Sequence, residues 1–151
     1  MSNYHTGSLE AALRQLAQSE FIAAAHQRLQ RNIEAINAEL AEAVRKEIPA
    51  FIESRNPHTL PDLAVHGPEH TAHMFHLLSG APDIRFDFVQ RHAKRRAQQR
   101  FPLETTLHAY RCGHRVLSRW LREATLAAIP PTDNASQAIA DVADFMNEYT
   151  N

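Results

Sequence analysis

From Ser19 to Ile48 the chain runs without a glycine or a proline, and this uninterrupted stretch limits what it can become. Within it Ile22, Leu29, Ile33, Ile36, Leu40, Val44 and Ile48 recur at spacings of three, four or seven. That is one narrow apolar stripe at the helical period. The spacing predicts a helix with Ser19 as N-cap, ended by Pro49 and roughly 45 Å long at 1.5 Å per residue. So narrow a stripe on so long a helix suits packing along one neighbour, and a partner subunit is the expected neighbour. Only 4 glycines occur among 151 residues, and no run alternates apolar with polar side chains. Helix is therefore favoured over strand throughout.

The remaining punctuation divides the chain into further helices. Residues 9–17 (LEAALRQLA) form a short amphipathic turn of helix. Residues 54–68, with three prolines and a glycine, read as a loop with room for one helical turn. Pro68 opens the next helix and Gly80 closes it after Ser79, the expected order of these two residues. Asp83 is placed to cap a helix reaching to about Arg100, and Pro102 opens another through Ile129. Pro130 and Pro131 stop that helix, and Thr132 or Asp133 starts the last one, which ends near Tyr149. The fold class is all-α: a single bundle of six or seven helices, one domain over residues 1–151, a length that buries one substantial core. The pattern Ile139, Val142, Ala143, Phe145, Met146, Tyr149 still runs as the sequence stops at Asn151. A longer regulator, of which this is the N-terminal fragment, is the expectation.

Charge and composition exclude several classes. The formal net charge of −1 gives no bulk attraction to nucleic acid or anionic membrane. A single cysteine, Cys112, forms no internal disulfide and fits a reducing cytoplasm. The start Met1-Ser2-Asn3-Tyr4-His5 lacks the basic and apolar regions of a signal peptide. No apolar stretch approaches the ~20 residues that span a bilayer. A soluble cytoplasmic protein without membrane contact is expected.

Residues 102–129 carry the most information. On a helical wheel Leu103, Leu107, Tyr110, His114, Leu117 and Leu121 share one face, beside Ala109, Gly113, Val116, Trp120, Ala124 and Ala127. Arg111, Arg115, Arg119 and Arg122 lie opposite. A helix apolar over half its circumference belongs in the core. Gly113 in mid-helix costs about 1 kcal/mol against alanine and is expected to admit the close approach of another helix. Tyr110 and His114 are the polar exceptions, and their tips need partners if buried.

The run Ala93-Lys94-Arg95-Arg96-Ala97-Gln98-Gln99-Arg100-Phe101-Pro102-Leu103-Glu104, followed by Leu107-His108-Ala109-Tyr110-Arg111-Cys112-Gly113, resembles a known signature. It is similar to the N-terminal domains that precede the DNA-binding part of PucR/CdaR-type bacterial transcription regulators. These are related to the N-terminal domains of RsbR-type stressosome proteins, whose fold is globin-like without haem. Phe101 stands where that pattern favours glycine, and Thr106 where it favours leucine. The resemblance implies a dimeric, non-enzymatic signal-input module, in which Pro102, Leu103, Tyr110, Arg111 and Gly113 are structural first.

Other constellations have plainer accounts. Of 10 histidines, His66, His70, His73 and His76 fall close together with Glu69. Histidines three or four apart on a helix can bind zinc, nickel or copper. With Pro68 as the helix start, only the pairs His70/His73 and His73/His76 remain, and nothing supplies further ligands. A polar outer face is expected instead of a metal site built on His70, His73 and His76. Residues 91–122 hold Arg91, Lys94, Arg95, Arg96, Arg100, Arg111, Arg115, Arg119 and Arg122 against the single acid Glu104. That basic run lacks helix-turn-helix spacing and is expected to be a solvated face pairing with nearby acids. Haem would require an axial histidine in an apolar pocket. His92, His108 and His114 are the candidates, each with an ordinary structural role available. No phosphate loop, nucleophile elbow or zinc-protease motif is present, and Cys112 and His114 diverge on the wheel, so no Cys–His pair is indicated.

The reading that follows is a signal-input and dimerisation domain of a bacterial transcription regulator, with no enzyme activity and no cofactor. It is expected to form a homodimer and to reach DNA only through a downstream domain outside this chain. An unidentified small-molecule effector would bind near Tyr110, His114 and Trp120, where polar tips meet an apolar face. The alternatives are a stressosome-like interaction adaptor and a metal- or haem-binding helical sensor.

Overall fold

Helix α1 (Ser2–Ala17) begins well before Leu9, where the apolar pattern first shows, and buries Leu9 and Leu16. The computed structural model describes residues 2–49, 53, 59–80, 87–99 and 102–150. Among them are seven α-helices and no strand, so the chain is all-α.

The long helix expected over residues 19–48 is two helices, α2 (Ile22–Arg31) and α3 (Ile33–Glu47). Asn32 makes the break. Its backbone leaves the helical region at φ −108° and ψ 15°, and its amide Nδ2 donates to the Arg28 carbonyl at 2.7 Å. A side chain that satisfies the preceding turn's carbonyl competes with continuation of the helix. Ser19 does not cap α2, since the residue before its first turn is Phe21, with no side-chain cap. The apolar stripe is nevertheless real: Leu29, Ile36, Leu40, Val44 and Ile48 are buried. They are buried within the single chain, while Ile22 and Ile33 of the same stripe are half-buried.

Helix α4 (Thr59–Leu78) corrects the reading of residues 54–68 as a loop, because it starts nine residues before Pro68 and carries that proline inside it. An interior proline forfeits one helical hydrogen bond and costs about 3 kcal/mol. Gly67 before it adds to the cost, so packing rather than propensity holds this segment helical. Thr71, fully buried, turns its hydroxyl back to the Gly67 carbonyl at 3.3 Å. The helix ends as expected at Gly80, whose φ of 87° is left-handed and whose N–H reaches the Leu77 carbonyl at 3.1 Å.

Helix α5 spans Asp87–Gln98, and its expected cap, Asp83, lies outside the described residues. Helix α6 (Leu103–Ala128) opens as predicted, with the Pro102 carbonyl accepting its first hydrogen bond from Thr106 at 3.2 Å. Helix α7 (Ser136–Thr150) starts later than Thr132 or Asp133. Those two residues form a turn after Pro130, the Ala135 carbonyl accepts the first helical bond from Ile139 at 3.0 Å, and Asn134 Oδ1 accepts from the Ser136 N–H at 2.9 Å.

The chain groups into two compact units. One comprises Met1–Ile33, His73–Ile84 and Ser118–Asn151. In it α1 packs on α7, and Phe75, Leu121, Phe145 and Tyr149 are among the fully or nearly fully buried side chains. Phe145 and Tyr149 meet ring to ring at 5.8 Å, and His26 and Phe75 make a T-shaped contact at 6.1 Å. The other unit comprises Glu34–Ala72 and Arg85–Leu117. Ile36, Leu40 and Val44 from α3, Ile48 just past its end, and Cys112, Val116 and Leu117 from α6 make its apolar part. Unlike an ordinary small core, it also buries His92, Arg96, Thr71 and Thr106.

Candidate functional site

Three of the buried polar residues of the Glu34–Ala72 and Arg85–Leu117 unit, His92, Arg96 and Thr106, line a cavity of about 310 Å³. Helix α3 contributes Asn37, Leu40, Ala41 and Val44 to its wall. Leu40 and Val44 belong to the stripe already legible in the sequence, and Asn37 and Ala41 lie beside it at the same helical spacing. Helix α6 contributes Thr106, Ala109, Tyr110, Gly113, His114 and Leu117, again one helical face. Gly113 was expected to admit a close helix, but a Cβ placed there would meet only Leu40 Cδ2, at an ordinary 3.7 Å. The glycine widens the cavity instead. Helix α4 adds His66, Gly67, Pro68 and His70, and α5 adds His92 and Arg96.

These groups bring five rings together. His66 stacks on His92 at 3.6 Å between centroids. His70 meets Tyr110 edge-on at 5.1 Å and His114 at 5.8 Å, and lies 5.7 Å from His92. The hydrogen bonds fix part of the protonation pattern. His92 Nε2 donates to Glu69 Oε2 at 3.2 Å. Arg96, 4% exposed, donates through Nη1 to Gln99 Oε1 at 2.8 Å and through Nη2 to His66 Nδ1 at 3.2 Å. Because a guanidinium only donates, His66 Nδ1 carries no proton. Burial pushes His114 down to about 4, so it is neutral at pH 7. Burial also lowers His92, against the pull of Glu69. The Tyr110 phenol is pushed up to about 12 by burial, while the Arg96 charge acts the other way. Asn37 Oδ1 is buried and receives no hydrogen bond from the described residues.

Two of the three residues expected at the ligand site, Tyr110 and His114, therefore line one cavity. Trp120 does not line it and belongs to the other unit, half-buried, with the Arg119 guanidinium 5.8 Å from its ring. The residues of the recognised motif diverge. Tyr110 and Gly113 face the cavity, Pro102 accepts the first bond of α6, and Arg111 is exposed. Leu103 and Leu107, expected in the core, are 69% and 41% exposed, whereas Thr106 between them is buried and lines the cavity, so a different face of α6 packs at this end.

His70, His73 and His76 go three ways: into the cavity, onto the Tyr149 hydroxyl at 3.1 Å, and to an exposed position. Among the described residues no group of three or more His, Cys, Asp or Glu is arranged to hold a metal ion. Of the haem candidates, His92 and His114 line the cavity, whereas His108 is exposed and pairs with Glu47 at 3.5 Å. Cys112 is buried, and burial pushes its thiol up. The basic run behaves largely as a solvated face: Arg91 pairs with Glu69, Arg115 with Glu47 and Arg119 with Glu123. Arg96 is the exception, and sequence reasoning missed it as a cavity residue along with Asn37, while His92 was singled out only as a haem candidate. Arg96 lies four residues after His92, on the same side of α5, which was the available signal.

No helix among the described residues is long and apolar enough to cross a membrane. No curated protein and no solved structure matches the chain. A family model described as the RsbT co-antagonist protein rsbRD N-terminal domain matches residues 34–151, which include the whole cavity wall. The RsbR-type part of the resemblance read from residues 93–113 is thereby supported, and the chain belongs to the RsbT co-antagonist protein rsbRD N-terminal domain family.

Proposed function

We propose that this chain is a non-enzymatic signal-input domain whose cavity, enclosed by α3, α4, α5 and α6, binds a small effector. The cavity carries the reading. Its volume of about 310 Å³ sits at the lower end of small-molecule sites, and its wall mixes aliphatic side chains with a few convergent polar groups. The polar groups are tuned for binding rather than proton transfer. A general base works best with a pKa near the operating pH, whereas His114 is pushed down to about 4 and Tyr110 up to about 12. Dimerisation and passage of the signal to a downstream DNA-binding or stressosome-type region complete the proposal, in keeping with the family's description as part of a co-antagonist protein.

Gly113→Leu in the intact regulator tests this, because it fills the cavity from one wall while adding a good helix former. The variant is expected to hold reporter output at one level whatever the signal, with Ala23→Leu on an exposed helical position as control. A Gly113→Leu protein that melts normally and still responds in full would sink the reading. A second reading, an interaction adaptor, is favoured by the exposed pair Leu103 and Leu107 at i and i+4 on α6. Replacing both with serine is expected to weaken self-association in sedimentation velocity. Unchanged association would remove that face from the account.

A further inference from the structure

We propose that the cavity selects a small aromatic hydroxy-acid, with its carboxylate at the Arg96 and His66 side and its hydroxyl donating to Asn37. This rests on the cavity being an effector site and names the chemistry of its occupant. Three observations point to that class.

The first is the wall. His70 makes T-shaped contacts with Tyr110 and His114, while His66 and His92 lie stacked nearby. Leu40, Val44 and Leu117 supply the aliphatic part. A flat apolar body of one ring is what edge-and-face contacts accommodate, and the volume of about 310 Å³ has space for such a ring with its polar substituents.

The second is charge. Arg96 is a permanent cation, almost fully buried and held in place by Gln99 and His66. Its charge complements a carboxylate held beside it. Its field reaches the cavity interior, where it favours a negative charge at Tyr110 and opposes a positive one at His92. A ligand ammonium would meet the same opposition.

The third is Asn37, whose Oδ1 is a buried acceptor on the wall with no donor among the described residues. A buried acceptor left without a donor is costly, and a carboxylate cannot supply one. A ligand hydroxyl can, so the occupant needs an acid and a hydroxyl on one small frame.

The test uses four probes of nearly one size: 4-hydroxybenzoate, benzoate, 4-hydroxybenzyl alcohol and 4-hydroxybenzylamine. At pH 7 the first carries an ionised acid and a protonated phenol. Calorimetric titration of the whole chain is expected to rank 4-hydroxybenzoate tightest, with the alcohol at least about tenfold weaker and the amine weaker still. Asn37→Ala sits at a partly exposed position and is expected to fold. It should erase the advantage of 4-hydroxybenzoate over benzoate while leaving benzoate binding in place. Arg96→Gln should erase the advantage of acid over alcohol, and Arg96→Lys should retain part of it.

If the alcohol or the amine binds as tightly as the acid, the proposal is overturned while the cavity remains a ligand site. If none of the four binds, the proposal is equally overturned, and the Gly113→Leu reporter measurement decides separately whether the cavity receives an effector. Should Arg96→Gln fail to fold, the Asn37→Ala result and the probe ranking still decide the matter.

Discussion

His114 shows how one residue can be read two ways. On the wheel it interrupts an apolar face, and in the structure it is a neutral imidazole on a cavity wall, pushed down to about 4 by burial. In the unfolded chain an imidazole titrates near pH 6.5. Between those values the unfolded state binds the extra proton, so the stabilisation is complete above about pH 6.5 and is lost as pH falls toward 4. The loss from this one group reaches about 3 kcal/mol at the acidic end. Urea unfolding of the native protein from pH 7 to 4.5 is expected to show it, and His114→Gln should flatten the profile. A parallel profile for the variant would mean that other groups carry the acid sensitivity. His92 shifts the same way, also through burial, so some slope should survive the substitution. The residue scale also shows what a sequence conceals: Arg96 looks identical to its basic neighbours, and only burial beside His66 and Gln99 separates it from Arg91 or Arg115.

At the scale of the element, caps and small residues have measurable consequences. Asn134 Oδ1 satisfies an N–H of the first turn of α7, so Asn134→Ala is expected to cost about 1 kcal/mol in urea unfolding. Gly113 has no positive φ and no tight neighbour, and its missing Cβ would make an ordinary contact. Gly113→Ala should therefore raise stability by about 0.5–1 kcal/mol through helix propensity alone. A destabilised alanine variant would show that the open volume beside α6 is needed for the fold itself. Boundaries were the least legible feature of the elements. Proline and glycine correctly marked the start of α6 and the end of α4. Pro68 misled, because tertiary contacts hold it inside α4 against its own preference. Asn32 misled in the opposite sense, its amide ending α2 where the apolar stripe continues unbroken.

For the whole molecule, composition sets the net charge. At −1 the chain has no bulk attraction to duplex DNA. Most of the cations in residues 91–122 for which the structure gives a partner face acids of this same chain. The chain by itself is expected to show no retention of duplex DNA in a mobility shift at 150 mM salt. Retention that weakens steeply with salt would instead assign the basic face to nucleic acid.

Helical class, the stripes of α3 and α6, and membership of a regulatory-domain family were all legible in the linear sequence, because period and motif are local properties of the chain. The site was legible only in part. Tyr110 and His114 stood out as polar tips on an apolar face, and both line the cavity. Asn37, His66, His92 and Arg96 join them only because α3, α4 and α5 pack around the same volume. No spacing along the chain encodes that convergence. It depends on which turns of separate helices meet, and on how much water is excluded where they do.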